Sequence, residues 1–275
     1  MTRAPRFPLA LERVHARTRA DSTEMLRPQA PLQHAAQHAA QAAATVAAGH
    51  GAPRGLGLDS AAVRQRMVQR LRADGIRQEA VLQAFATVQR HLFVDTALAT
   101  QAYEDTSLPI GLQQTISKPS VVARMLSLLF EGTTARAQGD LGRVLEIGSG
   151  CGYQAALLAL LGRSVVSIER LKGLHDKARA NLAESRGGDL RLVYGDGRLG
   201  HAPRAPYDSI VAAAGGDDLP EAWLDQLAVG GRLVAPVQDA TRGGQVLLVI
   251  DRQPDGLLRH CSDAVHFVPL KSGAE

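Results

Sequence analysis

The chain has 275 residues, enough for one large domain or two small ones, with 45% hydrophobic, 21% charged and only 4% aromatic residues. That composition excludes a disulfide-stapled mini-protein and a wholly disordered chain. The net charge of +4 is local: residues 1–58 hold seven of the 31 basic and three of the 27 acidic residues, leaving 24 of each for 59–275. A neutral, aromatic-poor body excludes nucleic-acid binding through basic residues interleaved with stacking aromatics.

Residues 1–58 start with scattered Arg, pass through an Ala-dominated tract from Ala35 to Ala48 and close on a Gly/Pro-rich stretch from Gly49 to Gly57. Alanine buries little area, and short isolated helices are marginal in water, so this stretch is expected to be a disordered extension. It lacks the apolar core of a signal peptide. No segment approaches the roughly 18 apolar residues of a membrane span, which leaves the cytoplasm as the expected location. Cys151 and Cys261 stand 110 positions apart with no metal-ligand spacing, so free thiols in a reducing compartment and no metal are expected.

From Asp59 to Val94 the apolar spacing is helical. Val63, Met67, Val68 and Leu71 form one stripe and Val81, Leu82, Phe85 and Val88 another, with Gly75 breaking the two helices apart. Asp95 to Thr115 has no period and contains Pro109 and Gly111, so it reads as a long ordered loop. Ser117 then precedes a helix carrying Val121, Val122, Met125, Leu126, Leu128 and Leu129 and ending near Gly132. Periodicity alone makes Ser117 the cap of that helix.

Beyond a polar connection, short apolar runs alternate with helices. Strands are expected at Arg143–Ile147, Ser164–Glu169, Leu190–Tyr194, Ser209–Ala214 and Arg232–Pro236, with helices at Tyr153–Leu161, Gly173–Ser185 and Pro220–Leu227. Two further strands, Gln245–Asp251 and Ala264–Leu270, follow without intervening helices. The pattern predicts an α/β, doubly wound sheet, mostly parallel, with an antiparallel C-terminal edge.

Between the first parallel strand and its helix lies Glu146-Ile147-Gly148-Ser149-Gly150-Cys151-Gly152. Glycines at alternate positions let the backbone turn and a ligand approach closely. The spacing is not the G-x-G-x-x-G of a dinucleotide site, since Tyr153 stands where the last Gly would fall. Glu146 suits a cationic ligand better than a pyrophosphate. The second strand ends at Glu169, where a carboxylate can take ribose hydroxyls, and the third runs into Gly195-Asp196-Gly197. Three acids at one sheet edge suit a nucleoside bearing a positive charge.

These features resemble the class I S-adenosylmethionine-dependent methyltransferases and, within them, the protein-L-isoaspartate (D-aspartate) O-methyltransferase family. The resemblance covers about residues 60 to 270. It rests on LPIG at 108–111, QTIS at 114–117, VLEIGSGCGYQAALLA at 144–159, GDG at 195–197, YDSIVAAA at 207–214, LDQLAVGGRLVAPV at 224–237 and VHFVPL at 265–270. It implies that Ser117 is the active-site serine, on a loop closing over the cofactor with Thr115 and Ile116. It further implies that Glu146, Gly148, Ser149, Gly150 and Gly152 frame the methionine part of S-adenosylmethionine, that Glu169 takes the ribose and that Asp196 and Gly197 border the adenine. The implied substrates are isoaspartyl-containing proteins and peptides, with no metal, no nucleic-acid or membrane partner, and a monomeric enzyme. Two positions depart from the family pattern, Gln113 where Gly is usual and Cys151 where Ser is common. The competing readings are a class I methyltransferase with a different substrate and a cofactor-binding module without catalysis.

Overall fold

The computed structural model describes residues 61–183, 188–241 and 243–275; the extension expected to be disordered, 1–58, lies outside them. Two helices open the described chain, α1 (Ala61–Ala73) and α2 (Glu79–Thr87), and bury the two apolar stripes noted above through Met67, Val68, Leu71, Val81, Leu82 and Phe85. Gly75, at φ +100°, makes the break between them. Where one loop was expected after Asp95, there is a 3-10 turn, Thr96–Gln101, and then a hairpin of β1 (Leu108–Gly111) and β2 (Gln114–Ile116). The strands are too short to show a period. Their turn also carries non-Gly residues, Leu112 and Gln113, at positive φ, in place of the Asn-Gly signal that usually betrays a hairpin.

Helix α3 (Pro119–Phe130) follows, then a short α4 (Thr133–Gln138) in the stretch expected to be a polar connection. The alternating part comes next: β3 (Arg143–Ile147), α5 (Tyr153–Leu161), β4 (Ser164–Glu169), α6 (Lys172–Leu182), β5 (Asp189–Tyr194), β6 (Tyr207–Ala212), α7 (Glu221–Asp225) and β7 (Leu227–Asp239), closed by β8 (Gly244–Gln253) and β9 (Gly256–Val265). The sheet order is β5-β4-β3-β6-β7-β8-β9. β5 to β7 pair in parallel, and β8 and β9 add antiparallel.

Alternate residues of the central strands feed two apolar clusters. Val144, Val165, Val211 and Val234 pack with α1, α2, α3 and α5 on one face; Leu145, Val166, Ile210 and Leu233 pack with Trp223 of α7 on the other. The chain winds outward in both directions from β3, so the switch in strand order falls between β3 and β6. Ligands of open α/β sheets bind beyond the carboxyl ends of strands at such a point.

The last expected strand, Ala264–Leu270, is displaced. β9 is complete by Val265, and the chain then leaves the sheet to cross its carboxyl edge, where Gly215 N donates to Val268 O (2.9 Å) and Leu270 N to Gly215 O (2.7 Å). The apolar run that suggested a strand has other reasons to be apolar: Phe267 is buried in the core, and Val268, Pro269 and Leu270 line a cavity.

Candidate functional site

The β1–β2 hairpin hangs over this carboxyl edge. Lys177 of α6 tethers it by donating from Nζ to Ile110 O at 2.9 Å. At the far end of the hairpin Ser117 does not cap α3. The cap position is Lys118, which makes no side-chain cap bond, and Asp105 instead takes the Ser120 N–H (2.8 Å) and Oγ–H (2.7 Å). The Ser117 hydroxyl, half-buried, has no hydrogen-bond partner among the described residues, and the residue faces the cavity below the hairpin.

The glycine loop between β3 and α5 spends its leading N–H groups internally. Gly148 N and Ser149 N donate to Ile168 O (2.8 and 3.1 Å), and Gly150 N donates to Glu169 Oε2 (2.8 Å). None of these three remains for a pyrophosphate, in agreement with the spacing argument. Gly150 and Gly152 sit at φ +55° and +91°. A Cβ at Gly150 would come within 3.2 Å of Ile110 Cδ1 in the hairpin, and one at Gly152 within 2.8 Å of Leu182 Cδ1 in α6. The first glycine lets the hairpin close down; the second lets α5 start against α6.

Behind the loop is a buried polar chain. Ser149 Oγ and Ser167 Oγ are 2.5 Å apart, and Ser167 Oγ donates to Glu146 Oε2 at 2.5 Å. Glu146 is fully buried; its Oε1 has no partner, nor has Nε2 of the neighbouring Gln154, which faces the cavity. Burial, aided by the charge of Glu169, pushes the Glu146 carboxyl up to about 8 against the opposing hydrogen bond from Ser167 and the nearby amide of Gln154, which is not within hydrogen-bonding geometry of it. Glu169, at the end of β4, accepts from Gly150 N and, through Oε1, from Leu171 N (2.9 Å). A carboxylate has about four acceptor positions, so both oxygens can accept again. Asp196, at the end of β5, accepts from Arg198 N (2.8 Å) and Gly273 N (2.6 Å).

These pieces enclose a cavity of about 280 Å³. Of the residues singled out in the sequence, Thr115, Ile116 and Ser117 line it from the hairpin; Gly148, Ser149, Gly150, Glu169 and Gly197 line it from the strand ends. Glu146, Gly152 and Asp196 do not. Glu146 lies behind the lining, Gly152 serves packing, and the Asp196 carboxylate is turned to Gly273. Sequence reasoning missed Gln154 and the wall formed by Val268, Pro269, Leu270 and Lys271. The first looked like one position in an ordinary helix; the second was hidden by the strand assignment. Among the described residues no cluster of His, Cys, Asp and Glu is arranged to hold a metal ion, and no helix is long and apolar enough to cross a membrane.

A family model described as protein-L-isoaspartate(D-aspartate) O-methyltransferase matches residues 62–275. The chain belongs to this family. Among curated members it is 61% identical to the protein-L-isoaspartate O-methyltransferase of Methylibium petroleiphilum, in a match covering 99% of this chain and 97% of the relative, and so reaching into residues 1–60. It is 66% identical to that of Leptothrix cholodnii, over 80% of this chain and 77% of the relative. A solved structure described as a protein-L-isoaspartate O-methyltransferase superposes with a TM-score of 0.67 at 26% identity, over 76% of this chain and 66% of the other. One from Plasmodium falciparum, in complex with S-adenosyl-L-homocysteine, shares the fold with a TM-score of 0.64 at 23% identity, over 76% and 98% of the two chains. The isoaspartyl methyltransferase family uses S-adenosylmethionine, and the buried residues here fit its amino-acid end: an unpaired carboxyl oxygen on Glu146 and an unpaired amide nitrogen on Gln154 answer to an ammonium and a carboxylate.

Proposed function

We propose that this chain transfers a methyl group from S-adenosylmethionine to the free carboxylate of L-isoaspartyl residues in damaged proteins and peptides. The observation that carries the reading is the single cavity in which the hairpin residues Thr115, Ile116 and Ser117 meet the glycine loop and Glu169. When bound, S-adenosylmethionine supplies an electrophilic methyl group on a positively charged sulfur. Gly148, Ser149 and Gly150 would hold its methionine part, with Glu146 and Gln154 behind them; Glu169 would take the ribose hydroxyls, and Gly197 would border the adenine, beside Asp196. The last of these roles requires the Asp196 carboxylate to add to, or exchange, its bond from Gly273 N.

A substrate carboxylate with a pKa near 4 is ionised at neutral pH, so no residue has to remove a proton. What remains for the protein is alignment, which supplies roughly 7 to 11 kcal/mol in favourable cases. The unpaired hydroxyl of Ser117 donates a hydrogen bond to the carboxylate and fixes its direction of approach. The hairpin above it keeps water out, which strengthens that bond. The methyl ester then makes the carbonyl electrophilic enough for the next backbone amide nitrogen to attack; its C–O bond breaks, methanol leaves with the amide proton, and hydrolysis of the resulting succinimide returns part of the chain to normal aspartate.

This reading takes the enzyme as a monomer, and a reducing cytoplasm suits its two free thiols, Cys151 and Cys261. The neutral body supports a protein substrate with no nucleic-acid or membrane partner. Residues 59–275 form the enzyme in this reading and 1–58 an accessory extension. The test is incubation with labelled S-adenosylmethionine and matched peptides containing isoaspartate or aspartate. Base-labile methyl label on the isoaspartyl peptide alone is expected; label on neither, or on both equally, overturns the proposal.

A further inference from the structure

Arg90 is fully buried although its side chain is long and cationic. It contacts no carboxylate among the described residues. Its guanidinium is spread over backbone instead: Nε donates to Ala102 O at 2.7 Å, and Nη2 donates to Ser117 O at 2.8 Å and, at 3.5 Å, to Thr106 O. The guanidinium carbon also lies 4.9 Å from the ring centroid of Tyr153, the first residue of α5 directly after the glycine loop. One side chain thus touches the turn before the hairpin, the residue after it and the wall of the cavity.

Burying an unpaired charge is costly, and desolvation lowers the Arg90 pKa from its ordinary value. Carbonyl dipoles and an aromatic face offset only part of that cost. A neutral apolar residue would fill the space more cheaply, so the guanidinium is explained by its geometry: a rigid planar fork can donate to carbonyls of separate segments at once, which an ammonium or an amide cannot reproduce.

We propose that Arg90 is a positioning residue for Ser117, fixing the hydroxyl relative to the glycine loop by holding the Ser117 carbonyl and the Tyr153 ring on one rigid group. This deepens the proposed methyl transfer and rests on it. The consequence is that Arg90 matters to turnover only while the Ser117 hydroxyl is there to be positioned.

A double-mutant cycle tests this with Arg90→Lys, Ser117→Ala and the double variant. Each is assayed at saturating S-adenosylmethionine and isoaspartyl peptide, and each is titrated separately with S-adenosylhomocysteine. The expected result is that Arg90→Lys lowers kcat by about tenfold or more beside Ser117 but by less than about twofold in the Ser117→Ala background, with affinity for S-adenosylhomocysteine within about threefold throughout. Equal losses in both backgrounds would overturn the proposal. Arg90→Gln, which removes the buried charge and keeps an amide donor, is the second variant should Arg90→Lys fold poorly; loss of S-adenosylhomocysteine binding in both would make Arg90 a fold determinant and overturn the proposal too. A wild-type chain inactive on the isoaspartyl peptide would instead refute the methyl-transfer reading itself.

Discussion

Asp105 caps the helix that Ser117 precedes: its carboxylate accepts from both the N–H and the hydroxyl of Ser120, at 2.8 and 2.7 Å. Ser117, the residue whose position suggests the cap, is thereby released to face the cavity. The two residues should separate stability from turnover. Asp105→Ala is expected to lower the unfolding free energy by about 1 kcal/mol, the usual worth of a cap. Ser117→Ala is expected to leave the urea midpoint unchanged and to remove most turnover. Destabilisation by Ser117→Ala with activity retained would return it to a purely structural role.

Glu146 makes stability depend on pH. Its carboxyl holds a proton up to about pH 8 in the folded chain, against 4.5 for an unperturbed Glu. Between those values the folded state binds the extra proton, so the unfolding free energy falls as pH rises through the window and this contribution levels off above it. From pH 5.5 to 8, the cofactor-free wild type should lose roughly 2 to 3 kcal/mol relative to Glu146→Gln, which has no such proton. Urea unfolding of both proteins at the two pH values measures the difference. Parallel pH profiles would mean that Glu146 is already ionised in the fold.

In the proposed site the same group is expected to couple cofactor binding to protons. A cationic ligand beside the cavity favours the ionised carboxylate, so S-adenosylhomocysteine, which carries the same ammonium, should release about one proton on binding the wild type near pH 7. Calorimetry in buffers of different ionisation enthalpy reads this directly. Glu146→Gln should release close to none; equal release by both would place the titrating group elsewhere.

Gly152 combines a left-handed backbone with a crowded Cβ direction, 2.8 Å from Leu182 Cδ1. Gly152→Ala should cost roughly 2 to 4 kcal/mol, from about 1 to 2 of backbone strain and the rest of overpacking. Part of that loss should be recovered in a Leu182→Ala background, where the clash is gone, as chemical denaturation of the single and double variants would reveal. Full additivity would assign the whole cost to the backbone.

The sheet was readable wherever burial on both faces left a continuous apolar run. Arg143–Ile147, Tyr153–Leu161 and Ser164–Glu169 were bounded correctly because Gly142, Gly152 and Gly162 punctuate them. The β1–β2 hairpin was hidden because strands of four and three residues carry no period and because Gln113 sits at φ +59° where a glycine would have announced the turn. In the site, glycines and acids betrayed themselves by type and spacing. Which of them face the ligand depends on tertiary contacts: Gly273 turns Asp196 away, and Ser167 holds Glu146 behind the lining. Asp105 and Arg90 act through backbone groups 15 and 27 residues away, a relation that leaves no local pattern to read.

The proposed activity places methyl transfer to isoaspartyl carboxylates in the cavity beneath Ser117. The most direct measurement is kcat/KM for a pair of peptides identical except for isoaspartate or aspartate at one position, with wild type and Ser117→Ala. Transfer to the isoaspartyl peptide alone, with a loss of about 100-fold or more in Ser117→Ala at unchanged S-adenosylhomocysteine affinity, is the predicted result. Equal transfer to both peptides, or full activity in Ser117→Ala, would contradict it.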